Sequence, residues 1–443
     1  MMDSQSAQPR NIRVPILTRV EGEGSLVVKL MGQNILDVQL AIFEPPRFFE
    51  AFLRGRSHED VADITARICG ICPIAYQMTA VQALEHAMGV TIRPDIRALR
   101  RLMYCGEWIE SHALHIHLLQ APDFFNCASG IELAKLFPDQ VNRGLRLKKH
   151  GNQLLEVLGG RAIHPVNLAV GGFYRLPDYR QLQAMIPDLE WGLQAAQDTA
   201  IWLASLPLPD FHMPYDYVAV SHSEEYAIIE GQVACSDGLR IDHGQYEQHY
   251  AEQHVAHSTA LQSRRSPDGR TYFVGPLARI NLNRSQLSTA AQRVADEIGF
   301  HTPCYNPYQG IVARAIEVVH AFEESLNIIK CWRPSGPARS TYSPQACSGT
   351  SVTEAPRGLI YHRYEVSEDG RIQLAKIVPP TSQNQAQIEA DLRELLPTIL
   401  HHSDDQIAVK CEQLVRNYDP CISCSTHFLK LRLERDTDSQ NVN

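Results

Sequence analysis

The chain has 443 residues, 44% of them apolar, and 41 Lys and Arg against 50 Asp and Glu leave a net charge of −9. That balance excludes the basic footprint of a nucleic-acid binder, and no apolar run approaches the ~18 residues of a membrane span. Eleven cysteines, an odd number over a long chain, argue against a disulfide framework and fit reduced thiols in a cytoplasmic setting.

Length alone allows about two or three domains. The first residues lack the basic-then-apolar pattern of a secretory signal. From Ile12 to Phe43 apolar and polar residues alternate around Gly22, Gly24 and Gly32, which predicts two or three short strands. Helical spacing then takes over at Pro46–Leu53, Asp60–Ala66 and Cys72–Met88, the last stopped by Gly89. A long helix is predicted over Asp95–Leu119, broken before Pro122, and others over Val141–Leu158 and Asp178–Leu206. Residues 208–300 are richer in Asp, His, Ser and turn residues, leaving a peripheral inserted lobe and a surface excursion both open. A helix follows at Asn306–Lys330, then a strand pair within Tyr361–Pro379 turning at Glu368-Asp369-Gly370. Helices at Ala386–Leu396 and Asp404–Arg416 complete the pattern. With no repeat or low-complexity linker, the chain reads as one mainly α body with a small N-terminal β element, α+β in class.

Two Cys-x-x-Cys pairs stand near opposite ends, Cys69-Gly70-Ile71-Cys72 and Cys421-Ile422-Ser423-Cys424. At a helix opening such a pair puts both sulfurs on one side of the first turn, where backbone N–H groups favour thiolate. Brought together, the pairs offer four soft ligands for zinc, an iron–sulfur cluster or nickel. A structural zinc site, an independent redox dithiol and plain packing remain open at this point. The long separation counts against a compact zinc ribbon.

The flanking residues carry more. Asp419-Pro420-Cys421-Ile422-Ser423-Cys424-Ser425-Thr426-His427 resembles the C-terminal signature of nickel–iron hydrogenase large subunits, and Arg67-Ile68-Cys69-Gly70-Ile71-Cys72-Pro73 their N-terminal one. Three further motifs match in order: Thr18–Gly22, Gly159–Pro165 and Glu354–Gly358. The likeness runs from about residue 12 to His427. Segments Glu44–Glu50, Ala75–Met78 and Val274–Arg279 are most similar to the cytoplasmic pyridine-nucleotide-linked branch, which includes sulfhydrogenase alpha subunits.

The resemblance implies a single large-subunit body over residues 1–427 with a central helical bundle, catalysing reversible heterolytic cleavage of dihydrogen. It implies nickel among four sulfurs, Cys69 and Cys421 terminal, Cys72 and Cys424 bridging to an iron that carries CO and CN. It makes Cys421 the base, or Arg357 at greater cost, since arginine deprotonates only above pH ~12. Glu21 becomes the proton carrier; without the flanking match it would read as a turn carboxylate. Arg357 and Thr381 would donate hydrogen bonds to cyanide, Pro356 and Pro379 supply dry walls, and Asp123 and Asp419 fix the arginine; a salt bridge of Arg357 to Glu354 is the plainer reading. Glu50, His427 and the carbonyl near Ile377 match a magnesium site, although imidazole is an unusual ligand for so hard a cation.

The implied partners are a small iron–sulfur subunit, diaphorase-type subunits bearing flavin and NAD(P), and a maturation protease and nickel-insertion proteins. The tail 428–443 matches a segment removed on maturation. No Gly-x-Gly-x-x-Gly follows a strand, so nucleotide sites fall on partners. His112, His115, His117 and His164 read as residues facing a partner. Many family members carry His four residues after the second cysteine; here Tyr76 stands there. A sulfur-reducing or hydrogen-sensing role, a non-hydrogenase relative such as the quinone-site subunit of respiratory complex I, and a zinc-stabilised interaction protein are the rival readings.

Overall fold

The computed structural model describes residues 9–44 and 48–426. The chain opens with three antiparallel strands, β1 (Pro9–Val14), β2 (Gly24–Met31) and β3 (Asn34–Ile42), in that order across the sheet. Leu26, Val28 and Leu30 alternate with Val38, Leu40 and Ile42 to bury one face, as a period of two requires. Helices α1 (Phe49–Leu53), α2 (Val61–Ala66), α3 (Pro73–Met88), α4 (Pro94–Leu114), α5 (Gly130–Leu136) and α6 (Pro138–Gly159) follow. After the two-residue strands β4 (Leu168–Ala169) and β5 (Gly172–Phe173) come α7 (Tyr179–Ala184) and α8 (Ile186–Ala204).

Next are β6 (Val218–Ser221), β7 (Gln232–Cys235), β8 (Arg240–Ile241), α9 (Tyr246–His249), β9 (Tyr250–Gln253), β10 (Gln262–Arg265), α10 (Pro276–Asn283) and α11 (Thr289–Glu297). The chain continues through α12 (Gly310–Cys331), β11 (Cys347–Ala355), β12 (Gly358–Val366), β13 (Ile372–Val378), α13 (Pro380–Ile399) and α14 (Asp404–Asn417). The centre is helical: α4 packs on α6 and α12, and α12 on α8. Gly151 lets α4 and α6 approach closely, since a Cβ there would stand 2.7 Å from the Gly106 carbonyl. The main apolar core draws on residues from Ile12 to Cys424. No helix among the described residues is long and apolar enough to cross a membrane.

Several expectations change. The β content extends well beyond the start of the chain. The helix expected over Asp178–Leu206 is two, divided at Met185, with Pro187 in the first turn of the second. The helix begun at Asp95 ends in a π turn over His115–Gln120. The expected strand pair gains a third strand, β11, whose polar sequence hid it. Thr353 and Glu354 are fully buried there and satisfied internally, Thr353 by the hydroxyls of Thr79 (2.6 Å) and Tyr104 (2.5 Å). Residues 208–300 do not stand apart. Val220 of β6 donates its N–H to Glu354 at 2.7 Å, and α10 packs on α12.

Arg279 of α10 joins these layers. Its guanidinium is fully buried, paired to both oxygens of Glu317 at 2.7 Å and to Glu354 at 2.9 Å. It also donates to the carbonyls of Ala355 (2.8 Å) and Pro356 (3.0 Å), fixing the turn between β11 and β12. Removing one member of such a group strands buried charge. Arg279→Met therefore lowers stability by about 3–5 kcal/mol, read as a fall in the urea midpoint of tryptophan fluorescence; an unchanged midpoint would show that the group holds nothing.

Candidate metal centre

The first cysteine pair is set by the start of α3. Cys72 precedes the helix and Pro73 opens it, where a missing N–H costs nothing. The Cys69 sulfur accepts the N–H groups of Ile71 and Cys72, each at 3.3 Å. The next free N–H groups, of Ile74 (2.6 Å) and Ala75 (3.1 Å), go to the buried Glu107 carboxyl of α4. The second pair follows α14, whose start carries a capping box of Ser403 and Gln406. Beyond it Asp419 adopts a left-handed φ of 50°, the chain turns at Pro420, and a short 3-10 turn runs over Ile422–Thr426.

The two pairs meet. All four sulfurs lie within 4.8 Å of one another, and all four cysteines are buried and free of disulfides. Cys69 and Cys421 are 3.5 Å apart, Cys421 and Cys424 2.8 Å. Hydrogen bonding with the sulfurs of Cys421, Cys424 and Cys72 pulls Cys69 well below its usual pKa against the effect of burial. Cys421 and Cys424 are raised, first by burial. Cys72 is also raised, the hydrogen bond with Cys421 being outweighed by those with Cys424 and Cys69 and by burial. Proximity thus drives the pKa values of the four sulfurs apart, Cys69 downward and the other three upward.

Around the sulfurs, Glu21 accepts the Cys421 thiol at 3.0 Å and the Ser423 N–H at 3.1 Å, and its own carbonyl takes the Ile422 N–H at 2.9 Å. Thr381, at the start of α13, accepts the Cys421 N–H at 3.0 Å. Pro356 and Arg357 form the β11–β12 turn, and Pro379 precedes α13; all three are buried. Arg357 donates to the Asp419 carbonyl at 2.7 Å and its carboxylate at 3.1 Å, while Nη1 has no partner among the described residues. Burial opposes its charge, but Asp419 and then Cys421, Cys72 and Cys69 hold its pKa above the usual value. Glu354 is taken by Arg279, which leaves Arg357 to Asp419.

Other residues fall elsewhere than expected. Asp123 does not touch Arg357; it pairs with Arg416 at 2.8 Å and with Arg19, tying the N-terminal segment to α14. The group opposite Arg357 on Asp419 is His115, whose Nδ1 lies 3.0 Å from the carboxylate. Burial opposes the Asp419 charge, yet Arg357 and His115 hold its pKa far below the usual range. His112, His115 and His117 are all buried within this chain, so they do not face a partner. His112 reaches Glu317 at 3.0 Å and His117 stacks on Trp202. His164 binds the Ala66 carbonyl at 2.7 Å.

Glu50 accepts the Ile377 N–H at 2.8 Å. It lines a cavity of about 290 Å³ with Glu247, Glu252 and Lys376. Burial and then Glu50 push Glu252 up to about 8, a residue that no sequence signal marks. His427 and the tail 428–443 lie outside the described residues.

The nickel-dependent hydrogenase family model matches residues 47–136 and 214–427. Sulfhydrogenase 1 subunit alpha of Pyrococcus furiosus is 33% identical over 432 residues, covering 95% of this chain and 100% of the relative. The NAD-reducing hydrogenase HoxS subunit beta of Cupriavidus necator is 25% identical, covering 95% of each chain. Among solved structures, an NAD+-reducing [NiFe]-hydrogenase in its H2-reduced state superposes with a TM-score of 0.82 at 24% identity, over 94% of this chain and 99% of that one. A [NiFeSe]-hydrogenase of Dm. baculatum gives 0.76 at 21% identity, over 95% and 100%; these two likenesses speak for the fold.

Replacing any one of Cys69, Cys72, Cys421 or Cys424 by serine should lower the nickel recovered per chain at least about tenfold, as read by plasma mass spectrometry. Cys105→Ser, buried outside the cluster, should leave it unchanged. Equal nickel in all five variants would place the metal elsewhere.

Proposed function

The chain belongs to the nickel-dependent hydrogenase family, and on that premise we propose that it is the catalytic large subunit of an enzyme that reversibly splits dihydrogen into protons and electrons. The donor set suits the metals. Metal–sulfur bonds of about 2.3 Å put tetrahedral sulfurs about 3.8 Å apart, and the four sulfurs lie within 4.8 Å of one another. When bound, nickel and iron supply the Lewis acidity that polarises dihydrogen and the redox capacity that takes its electrons.

The observation that carries the reading is a buried guanidinium with an unused Nη1 beside four buried sulfurs. A structural zinc site has no need of it, and an unmet buried donor is costly. Arg357 would donate to cyanide carried by iron, and Thr381, whose oxygen already holds the Cys421 N–H, could turn its hydroxyl hydrogen to the same ligand set. Cys69 and Cys421 would hold nickel alone, Cys72 and Cys424 would hold nickel and iron together, and Pro356 and Pro379 would wall the pocket against water.

Proton movement falls to Cys421 and Glu21. The thiol hydrogen of Cys421 is already directed at the Glu21 carboxylate, so the cysteine releases its proton there and Glu21 carries it outward. Asp419 keeps Arg357 charged and aimed, which assigns the guanidinium to positioning and leaves the base role to sulfur. Glu50 and the Ile377 carbonyl, with His427 by the family resemblance, would hold magnesium, and Glu252 lies in the same cavity as Glu50. Electrons leave through a small iron–sulfur subunit and, by likeness to the NAD-reducing relative, reach NAD(P) on flavin-bearing partners. We assign the assembly to the cytoplasm and the tail 428–443 to a segment removed on maturation.

Infrared spectra of the purified mature protein should contain absorption from metal-bound CO and CN; a nickel-loaded sample without those bands contradicts the reading. Glu21→Gln should retain its metals yet lose at least about 100-fold in isotope exchange between dihydrogen and water. Full exchange in that variant would remove Glu21 from the proton route.

A further inference from the structure

Helix α13 grips the chain around Cys421 at two places. Near its start the Thr381 hydroxyl oxygen accepts the Cys421 N–H at 3.0 Å. Further along the same helix the Asp391 carboxylate accepts the Tyr418 hydroxyl at 2.6 Å. Both acceptors are buried, Asp391 completely. The stretch of helix from Thr381 to Asp391 rises about 15 Å, whereas the backbone from Tyr418 to Cys421 covers at most about 11 Å. Side chains at the grips supply the remainder. Between the grips lies Asp419, a non-glycine residue with a left-handed φ of 50°. Such a conformation persists only where its surroundings fix it, and the same residue holds Arg357 through its carbonyl and its carboxylate.

The Asp391 carboxylate is well supplied for this hold. Its Oδ2 accepts two phenols, Tyr418 and Tyr215, the second at 2.7 Å, and its Oδ1 accepts the Gln387 amide at 2.8 Å. Burial pushes its carboxyl up to about 6, and hydrogen bonds from Tyr418, Gln387 and Tyr215 act against that rise, so at neutral pH it is ionised and accepts all three. The two phenol rings flank Phe273, with centroids 4.6 Å from it for Tyr418 and 5.1 Å for Tyr215. A hydrogen bond to an ionised acceptor is stronger than one between neutral groups, and in this dry setting any other placement of the Tyr418 hydroxyl leaves the charge short of a donor. We propose that Asp391 is a positioning residue for the metal centre: through the Tyr418 hydroxyl it holds the Tyr418–Cys421 corner against α13, and so keeps the Cys421 sulfur within reach of the other three. The inference rests on the metal-centre reading above and deepens it. Tyr215 shares the carboxylate but lies just before β6, on a stretch that carries no cysteine of the cluster.

The test adds nickel(II) to the reduced full-length chain and reads the affinity by chelator competition and the geometry by the thiolate-to-nickel charge-transfer band. Tyr418→Phe, which keeps the ring and loses the hydroxyl, should weaken nickel binding about 10-fold or more and shift the band, with a far-UV spectrum identical to the parent's showing that the fold survives. Asp391→Leu should do the same, and the double variant should lose no more than either single one, because both remove one hold. Tyr215→Phe takes a donor from the same carboxylate without touching the corner, and should match the parent in affinity and band. A loss in Tyr215→Phe equal to that in Tyr418→Phe would show that the carboxylate serves packing alone, and overturns the assignment. A Tyr418→Phe affinity and band equal to the parent's overturn it as well and leave the metal centre standing. A parent chain that gives no charge-transfer band overturns the metal-centre reading, and this inference with it.

Discussion

Four thiols buried within one small space cannot all ionise, because each new thiolate meets the charge of the others in a medium that solvates none of them. The protein resolves this only in part: hydrogen bonding with the neighbouring cysteines draws Cys69 down, while burial pushes Cys421 and Cys424 up. A soft cation bound by the four sulfurs would balance their charge. Ligation would ionise the remaining thiols and release their protons, and the surrounding structure is arranged around that event.

The supports are ionic and deeply buried. Arg279, Glu317 and Glu354 lock the turn that presents Arg357. Asp419, held between Arg357 and His115, fixes the corner that presents Cys421. Asp123, held by Arg416 and Arg19, anchors the N-terminal segment that carries Glu21. Such groups add little net stability over apolar packing, but they specify geometry because every alternative leaves a charge unpaired. Three distant stretches of sequence are thereby brought to one centre with little freedom.

Much of this was legible beforehand. Two Cys-x-x-Cys pairs with their flanking motifs point to a shared centre, and the long helices announce themselves by periodicity and by Gly and Pro at their ends. What stayed hidden depends on tertiary pairing. β11 looks like a polar loop because Thr353 and Glu354 are satisfied only by residues on other elements. His115 reads as one of three histidines facing a partner until the turn after α4 is seen to be buried within the chain. Asp123 sits in a suggestive motif, yet its partners are Arg19 and Arg416, and no local pattern says which arginine an aspartate will meet.

The claim on which the account depends is that both cysteine pairs bind one nickel in company with iron. Nickel K-edge X-ray absorption on the purified protein tests it most directly. The account predicts sulfur as the dominant scatterer around nickel, all four protein sulfurs accounted for, with an iron neighbour just beyond them. Nickel bound mainly by nitrogen or oxygen, or sulfur-bound nickel with no iron behind it, would contradict it.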